Sequence, residues 1–168
     1  MEASSVLSGS TEQPAIRAAD ADEAGALLEI QRAASVAAFA HIYPPELYPF
    51  PDEEVLALWG DALRDPQIDV YVAEVAGRAV GSVSVDDQWL RTLYVLPAYW
   101  SRGVGSALLE HGLSRMRERG ALRAKLWTLE ENGDGRRFYE RRGWTLTGET
   151  RDVPFPPNPI DVQYAREL

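Results

Sequence analysis

Residues 93–107 constrain the fold of this chain most, because an apolar run leads through Pro97 into a two-glycine turn and then an amphipathic pattern. This order predicts a strand, a tight turn and a helix. The first N–H groups of such a helix lack partners, and the helix dipole adds partial positive charge there. Gly103 and Gly105 carry no side chains that would hold an anion away from the main chain. The turn therefore predicts a phosphate site, although an ordinary glycine-containing connection would look the same.

Composition limits the class of protein. A chain of 168 residues with 45% apolar content suits one domain with a sizeable core. The absence of cysteine excludes disulfides, thiolate zinc sites and a cysteine nucleophile, and we expect no metal. Residues 1–13 are small and polar, without a secretory pattern, and no apolar run reaches membrane-spanning length. We expect a flexible tail at 1–13, a domain at 14–168, and a cytoplasmic protein without a membrane partner.

Charge is divided unevenly along the chain. The net charge of −9 argues against a general nucleic-acid binder. Residues 91–142 nevertheless contain eleven Lys and Arg against six Asp and Glu, so the remainder is strongly acidic. A basic segment around the glycine turn suits a polyanionic cofactor, and an acidic remainder suits a cationic acceptor such as an amine. Solvated surface charge without any partner explains the same split.

Hydrophobic periodicity predicts the other elements. Strands are expected over 15–19, 68–75, 79–85, 89–96, 121–128, 144–150 and 160–166, and helices over 20–40, 52–63, 103–119 and 135–142. The strands between 68 and 96 should form a meander, and the strand-helix-strand unit at 90–128 should cross right-handed between parallel strands. Residues 41–51 contain four prolines and three aromatics, which predicts an irregular loop that either walls a pocket or packs on the core.

A second motif occupies residues 132–144, directly after the fifth predicted strand. Tyr139 on a short helix there can face inward, and its phenol can protonate a leaving thiolate because its pKa lies slightly above that of a thiol. The amide of Asn132 can bond both donors and acceptors of an extended, amide-bearing cofactor. A core aromatic for Tyr139 and a helix cap for Asn132 are the alternative interpretations.

Together the two motifs resemble the acetyl-CoA-binding core of the GNAT superfamily of N-acetyltransferases. Residues 93–144 carry the specific patterns, and the order of elements over 14–168 agrees with them. The resemblance implies one α/β (α+β) domain, with a central mixed, mostly antiparallel sheet of about seven strands flanked by about four helices. It also implies acetyl-CoA as the cosubstrate.

The family also assigns roles to particular positions. Its fourth strand pairs with the pantetheine arm and polarises the thioester carbonyl, its glycine turn holds the pyrophosphate, an asparagine contacts the arm, and a tyrosine is the general acid. These roles fall on the cofactor-binding residues Leu93, Tyr94, Val95, Arg102, Gly103, Val104, Gly105, Ser106 and Asn132, and on the catalytic residue Tyr139. Two positions depart from the pattern: Trp100 replaces a usual glutamine or arginine, and Gly135 replaces a usual alanine, which should only weaken a helical turn.

The reaction implied is direct transfer of acetyl from acetyl-CoA to the primary amine of a small molecule, without an acyl-enzyme. His41, Asp87 and Glu130 are candidates for the base by residue type and nearness to the motif strands, and a water chain is the alternative. A protein or peptide acceptor is the second hypothesis, and a non-catalytic acyl-CoA-binding module is a third of another class. Exposed aromatic and proline residues near the C terminus either form a homodimer contact or close the pocket.

Overall fold

The computed structural model describes residues 13–168, so the expected tail at 1–13 lies outside the described residues except for its last position. Within that range every predicted helix and strand is present, although the first helix begins at Ala24 instead of residue 20. In chain order the elements are β1 (Ala15–Ala18), α1 (Ala24–Phe39), α2 (Asp52–Arg64), β2 (Asp69–Val75), β3 (Arg78–Val85), β4 (Leu90–Val95), a short 3₁₀ turn (Pro97–Tyr99), α3 (Val104–Glu118), β5 (Arg123–Leu129), α4 (Gly133–Glu140), β6 (Thr145–Asp152) and β7 (Ile160–Glu167).

The strands form two antiparallel sheets that meet at one point. One sheet has the order β1-β2-β3-β4, and the other has the order β5-β7-β6. They touch where Trp89 makes a parallel bridge to Lys125, whose N–H donates to the carbonyl of Gln88 over 2.9 Å. The expected α/β fold is therefore confirmed, while the expected parallel pairing of β4 and β5 is reduced to this single bridge within residues 13–168.

The larger core lies between α3 and the sheets. The buried stripe of α3 consists of Val104, Leu108, Leu109, Leu113 and Met116, and it packs on valines of β3 and on residues of β5 and β7. Glycine allows a close approach at two places, because an added Cβ at Gly81 would lie 2.9 Å from Cδ1 of Leu108, and one at Gly112 would lie 3.0 Å from Cγ1 of Val85. This packing fixes the position of α3, and with it the turn at its N terminus.

A second core cluster lies between α1, α2 and β2. It is formed by Leu27, Leu28, Val55, Trp59, Val70 and Val72. The indole N–H of Trp59 donates to Oε1 of Gln31 over 2.8 Å, which satisfies the polar atom of this buried ring and ties α2 to α1. The proline-rich loop predicted at 41–51 is thereby held between two fixed helices. In the part of the chain that the structure describes, none of the helices has the length and apolar character needed to cross a membrane.

Candidate functional site

A cleft of about 930 Å³ opens beside the bridge, where β4 and β5 part. Its walls come from four strands (β4, β5, β6 and β7), three helices (α1, α2 and α4), the loop at 41–51 and the loop between β6 and β7. Four of the residues predicted from the two sequence motifs line it, namely Leu93, Tyr94, Asn132 and Tyr139. The structure therefore brings β4 and α4 together around one cavity, although they are far apart in sequence.

The glycine turn follows the C-terminal end of β4 and leads into α3. Gly103 occupies the N-cap position of α3 with φ +83°, a left-handed conformation that strains any other residue. No side chain caps the helix, and the N–H of Ala107 makes the 3.0 Å bond to the carbonyl of Gly103 that begins the helical ladder. The N–H groups before Ala107 belong to the first turn and have no helical acceptor, so they are available to an anion.

Two side chains brace this turn. The guanidinium of Arg142 lies 3.8 Å from the ring centre of Phe138 and donates both to Oγ of Ser106 (2.6 Å) and to the carbonyl of Phe138 (2.9 Å). The indole N–H of Trp100 donates to the carbonyl of Val95 over 2.7 Å. Sequence reasoning did not single out Arg142, and it treated Trp100 only as the loss of a polar side chain. Both residues connect the turn to neighbouring elements.

Asn132 is the N-cap of α4. Its Oδ1 accepts from the N–H of Gly135 over 3.1 Å, and its Nδ2 donates to Oγ1 of Thr128 over 3.1 Å. A Cβ at position 135 would collide with this amide, which explains the glycine there better than a merely weakened helix does. The helix-cap interpretation is therefore correct for Asn132, while its contact with a cofactor stays a prediction.

Tyr139 lines the cleft and is half-buried among aromatic rings. Its ring centre lies 5.3 Å from that of Phe138 and 5.8 Å from that of Trp144, both edge-on. Burial, with a smaller contribution from Tyr94, raises the pKa of Tyr139 well above the ordinary value for a phenol. The hydroxyl holds its proton at neutral pH, as an ordinary phenol does, so it can act as a proton donor, but the raised pKa makes it a weaker acid toward a thiolate than the unperturbed phenol expected from the sequence.

The position of α4 is set by contacts with β7. The hydroxyl of Tyr164 donates to Oε1 of Glu140 over 2.6 Å and accepts from Nε of Arg136 over 2.9 Å. Arg136 also donates to the carbonyl of Glu130 over 2.9 Å, which ties the helix to the end of β5. These bonds hold Tyr139 at a fixed distance from both strands.

The three candidate bases lie outside the lining of the cleft. The exposed His41 has Nε2 3.0 Å from the carbonyl of Glu131, and the exposed Asp87 pairs with Arg119 at 2.8 Å. Glu130 is exposed beyond the end of β5. The structure does not bring any of them to Tyr139, because nearness to a motif strand in sequence does not determine which face a side chain occupies.

Two other carboxylates line the cleft: Glu54, which is exposed, and Asp161, which is only 8% exposed. Sequence reasoning missed Asp161, which belongs to no motif. The available signal was the alternation at the start of β7, where the polar Asp161 and Gln163 flank Val162 on a strand that proves to be buried on both faces.

Comparison with known proteins places these features in a family. The model of the acetyltransferase (GNAT) family matches residues 33–144, more than half of the chain. An uncharacterized N-acetyltransferase of Archaeoglobus fulgidus is 37% identical over 81 residues, which is 42% of this chain and 55% of that protein. An uncharacterized N-acetyltransferase of Mycobacterium bovis is 31% identical over 135 residues, which is 77% of this chain and 85% of that protein. This chain belongs to the GNAT acetyltransferase family.

A solved structure agrees on the fold. The PaiA N-acetyltransferase of Thermoplasma acidophilum, determined in complex with coenzyme A, matches with a TM-score of 0.71 at 20% identity, over 93% of this chain and 99% of that one. The resemblance read from the two sequence motifs is thus confirmed, and the chain is an acyltransferase of the N-acetyltransferase type.

Proposed function

We propose that the protein transfers the acetyl group of acetyl-CoA to the primary amine of a small molecule by direct attack of the amine. The observation that carries the proposal is the position of Tyr139, a protonated phenol in the wall of a cleft that β4 connects to an open helix N terminus. Phosphate binding at the turn and proton donation in the cleft are the two functions that a CoA thioester requires.

The turn fits the pyrophosphate of such a cosubstrate. Apart from Gly103 and its chain neighbours, no heavy atom of residues 13–168 lies within 4 Å of the place that a Cβ of Gly103 would occupy, so this side of the turn is open. Arg102 is exposed beside it and adds positive charge to that of the helix end. The residues expected to hold acetyl-CoA are those of the turn together with the backbone of β4. The Thermoplasma protein, which shares the fold, was determined in complex with coenzyme A, which supports a CoA thioester as the cosubstrate.

Acetyl-CoA would supply an electrophilic thioester carbon and a thiolate leaving group. The β4 N–H groups that face the parting with β5 can donate to the thioester oxygen as negative charge develops there. As the new C–N bond forms and the C–S bond breaks, Tyr139 donates its proton to the departing sulfur and then recovers one from water. The amine releases its own proton to cleft water. His41, Asp87 and Glu130, the sequence-based candidates for the base, lie outside the cleft lining and would need such water to relay the proton.

A small amine is favoured over a protein substrate because the cleft is walled by loops on two sides and most of its lining is apolar side chains. The alternative of a non-catalytic acyl-CoA-binding module gives Tyr139 no role. Cytoplasmic location, the absence of nucleic-acid and membrane partners, and a homodimer contact near the C terminus stay predictions of the sequence.

The test is Tyr139→Phe, which removes the hydroxyl and keeps the ring. We expect kcat to fall about 100-fold or more, the range for loss of a general acid. The Kd for CoA, measured by calorimetry, should change less than threefold. The matched control is Tyr71→Phe, because Tyr71 is half-buried against His111 away from the cleft.

Unchanged turnover in Tyr139→Phe would refute the general-acid role. CoA binding without transfer to any of a broad panel of amines would favour the binding module.

A further inference from the structure

We infer that the acceptor is a monocationic amine with an apolar body, such as an arylalkylamine or an alkylamine, and that Asp161 binds its ammonium group. The bound ammonium releases one proton to cleft water before its nitrogen attacks the thioester carbon. The inference rests on the proposed function and narrows its substrate class. Two separate observations lead to it: one buried carboxylate in the cleft, and a ring of exposed apolar side chains at the mouth.

Asp161 lies at the beginning of β7, opposite Leu129 of β5 and Arg151 of β6 in the strand register. It lines the cleft although it is only 8% exposed. A carboxylate removed from water to this extent is costly unless a cation neutralises it. Its position inside a substrate-sized cavity therefore calls for a cation that the cavity can hold.

Arg151 pairs with Asp161 and balances its charge, but it bonds only one of the two carboxylate oxygens. Its Nε donates to Oδ2 of Asp161 over 3.0 Å, and its guanidinium stacks 4.4 Å from the ring centre of Trp127. In the described part of the chain no second hydrogen bond reaches this carboxylate, so Oδ1 can accept from an ammonium. The stacked Arg151 holds the carboxylate in place for it.

The negative charge of Asp161 acts on two tyrosines that line the cleft, Tyr94 and Tyr43. Burial raises the pKa of Tyr94 to about 12, with the negative charge of Asp161 as a further cause. Burial and then Asp161 also raise the pKa of Tyr43. Because Tyr94 belongs to β4, an ammonium at Asp161 lies within electrostatic reach of the strand expected to hold the thioester.

The cleft has few acidic groups that could bind a polycation. Its lining contains two carboxylates, Glu54 and Asp161, and two guanidinium groups, Arg91 and Arg151. Only Asp161 among the acids is buried. A diamine or polyamine would place its second charge against aromatic and aliphatic walls, whereas an amine with one charge and an apolar body would not.

The mouth is apolar although it faces solvent. Val36, Leu47, Leu58 and Phe155 are 38%, 71%, 66% and 53% exposed, and all four line the cleft. They come from α1, the loop at 41–51, α2 and the loop after β6, so no single amphipathic element accounts for them. Exposed apolar groups that converge on one opening are expected where an apolar ligand covers them.

The first experiment measures kcat/KM with saturating acetyl-CoA for 2-phenylethylamine, hexylamine, putrescine, spermidine and a polar tetrapeptide with a free N terminus. We expect the first two to exceed the other three by at least about 30-fold, since each buried methylene is worth about 0.8 kcal/mol. A preference for the polyamines or the peptide would overturn this inference and leave acetyl transfer intact. Failure with every amine while CoA binds would overturn the proposed function as well.

The second experiment removes the charge. Asp161→Asn should lower kcat/KM for 2-phenylethylamine at least about 50-fold, with the KM for acetyl-CoA changing less than twofold. The control is Asp152→Asn, an exposed carboxylate next to Arg151 that does not line the cleft. Equal effects of the two substitutions would overturn the role of Asp161.

A third variant tests the mouth without touching a buried residue. Leu47→Ser, at a side chain that is 71% exposed, should lower the ratio of kcat/KM for hexylamine to that for methylamine about fivefold. An unchanged ratio would overturn the apolar half of the inference. This measurement and the amine panel decide the question even if Asp161→Asn does not fold.

Discussion

The two ends of β4 are built in different ways. At the end near α3 the site consists of main-chain N–H groups, a left-handed glycine and the end of a helix fixed by close packing. At the cleft the site consists of side chains from four strands, three helices and two irregular loops. A site made of backbone demands particular residues at fixed spacing, whereas a site made of side chains can be rebuilt position by position on the same fold.

The largest effect expected at the backbone-built end comes from Gly103→Asp. The substitution places a carboxylate beside the N–H groups that should bind phosphate, so we expect the Kd for CoA to rise more than 100-fold in calorimetry. The matched control is Gly103→Ala, which adds only the left-handed strain of about 1–2 kcal/mol to the free energy of folding. A Kd of Gly103→Asp equal to that of the unsubstituted protein would show that the turn does not bind the phosphates.

Arg142 should have a moderate effect confined to the same end. Arg142→Ala removes the bonds to Ser106 and to the Phe138 carbonyl, which loosens the turn against α4. We expect the KM for acetyl-CoA to rise about fivefold, while the KM for the amine stays the same.

Two further variants separate the positioning role of Arg142 from the effect of its charge. Arg142→Lys keeps the charge but loses the forked contact, so it should resemble Arg142→Ala. Arg117→Ala, at an exposed arginine of α3, should have no effect. Full activity in Arg142→Lys would mean that the charge acts and the positioning does not.

The smallest effect is expected from alkaline pH at the cleft end. Burial raises the pKa values of Tyr139 and Tyr94, so both phenols stay protonated as pH rises through the ordinary tyrosine value of about 10. We therefore expect kcat to hold between pH 8 and 10. A decline below pH 10 that disappears in Tyr139→Phe would show that the proton is lost earlier than burial implies.

The same pKa values predict the direction of alkaline unfolding. The unfolded chain releases its tyrosine protons near pH 10, before the folded chain does. The contribution of these groups to stability is therefore complete below pH 10 and decreases as pH rises from there toward their folded pKa values. Denaturant titrations at pH 8 and above pH 10 measure the difference.

Sequence reasoning succeeded where local geometry restricts the residue type. The order of strands and helices, the turn before α3 and the helix that carries Tyr139 could all be predicted, because glycine positions and apolar periodicity report directly on backbone conformation. The fold class and the family followed from those features.

The remaining features depend on contacts between distant segments. Three features are of this kind: the single bridge between β4 and β5, the contacts of Arg142 with the turn, and the ion pair of the buried Asp161. The residues that they join are 10 to 36 positions apart, and no local pattern encodes them. His41, Asp87 and Glu130 were chosen by sequence distance, which carries no information about the face that a side chain occupies. The position of the cleft could thus be predicted from the sequence, but the buried carboxylate of Asp161 within it could not.

The contact between Asn132 and Gly135 couples the stability of α4 to the direction of one side chain in the cleft. An alanine at 135 favours a helix by about 1 kcal/mol, but its Cβ would displace the capping amide, a loss of similar size. The two terms offset each other, so Gly135→Ala should change the stability of α4 little. What it should change is the direction of the Asn132 amide, and with it the polar group that lines the cleft at this point.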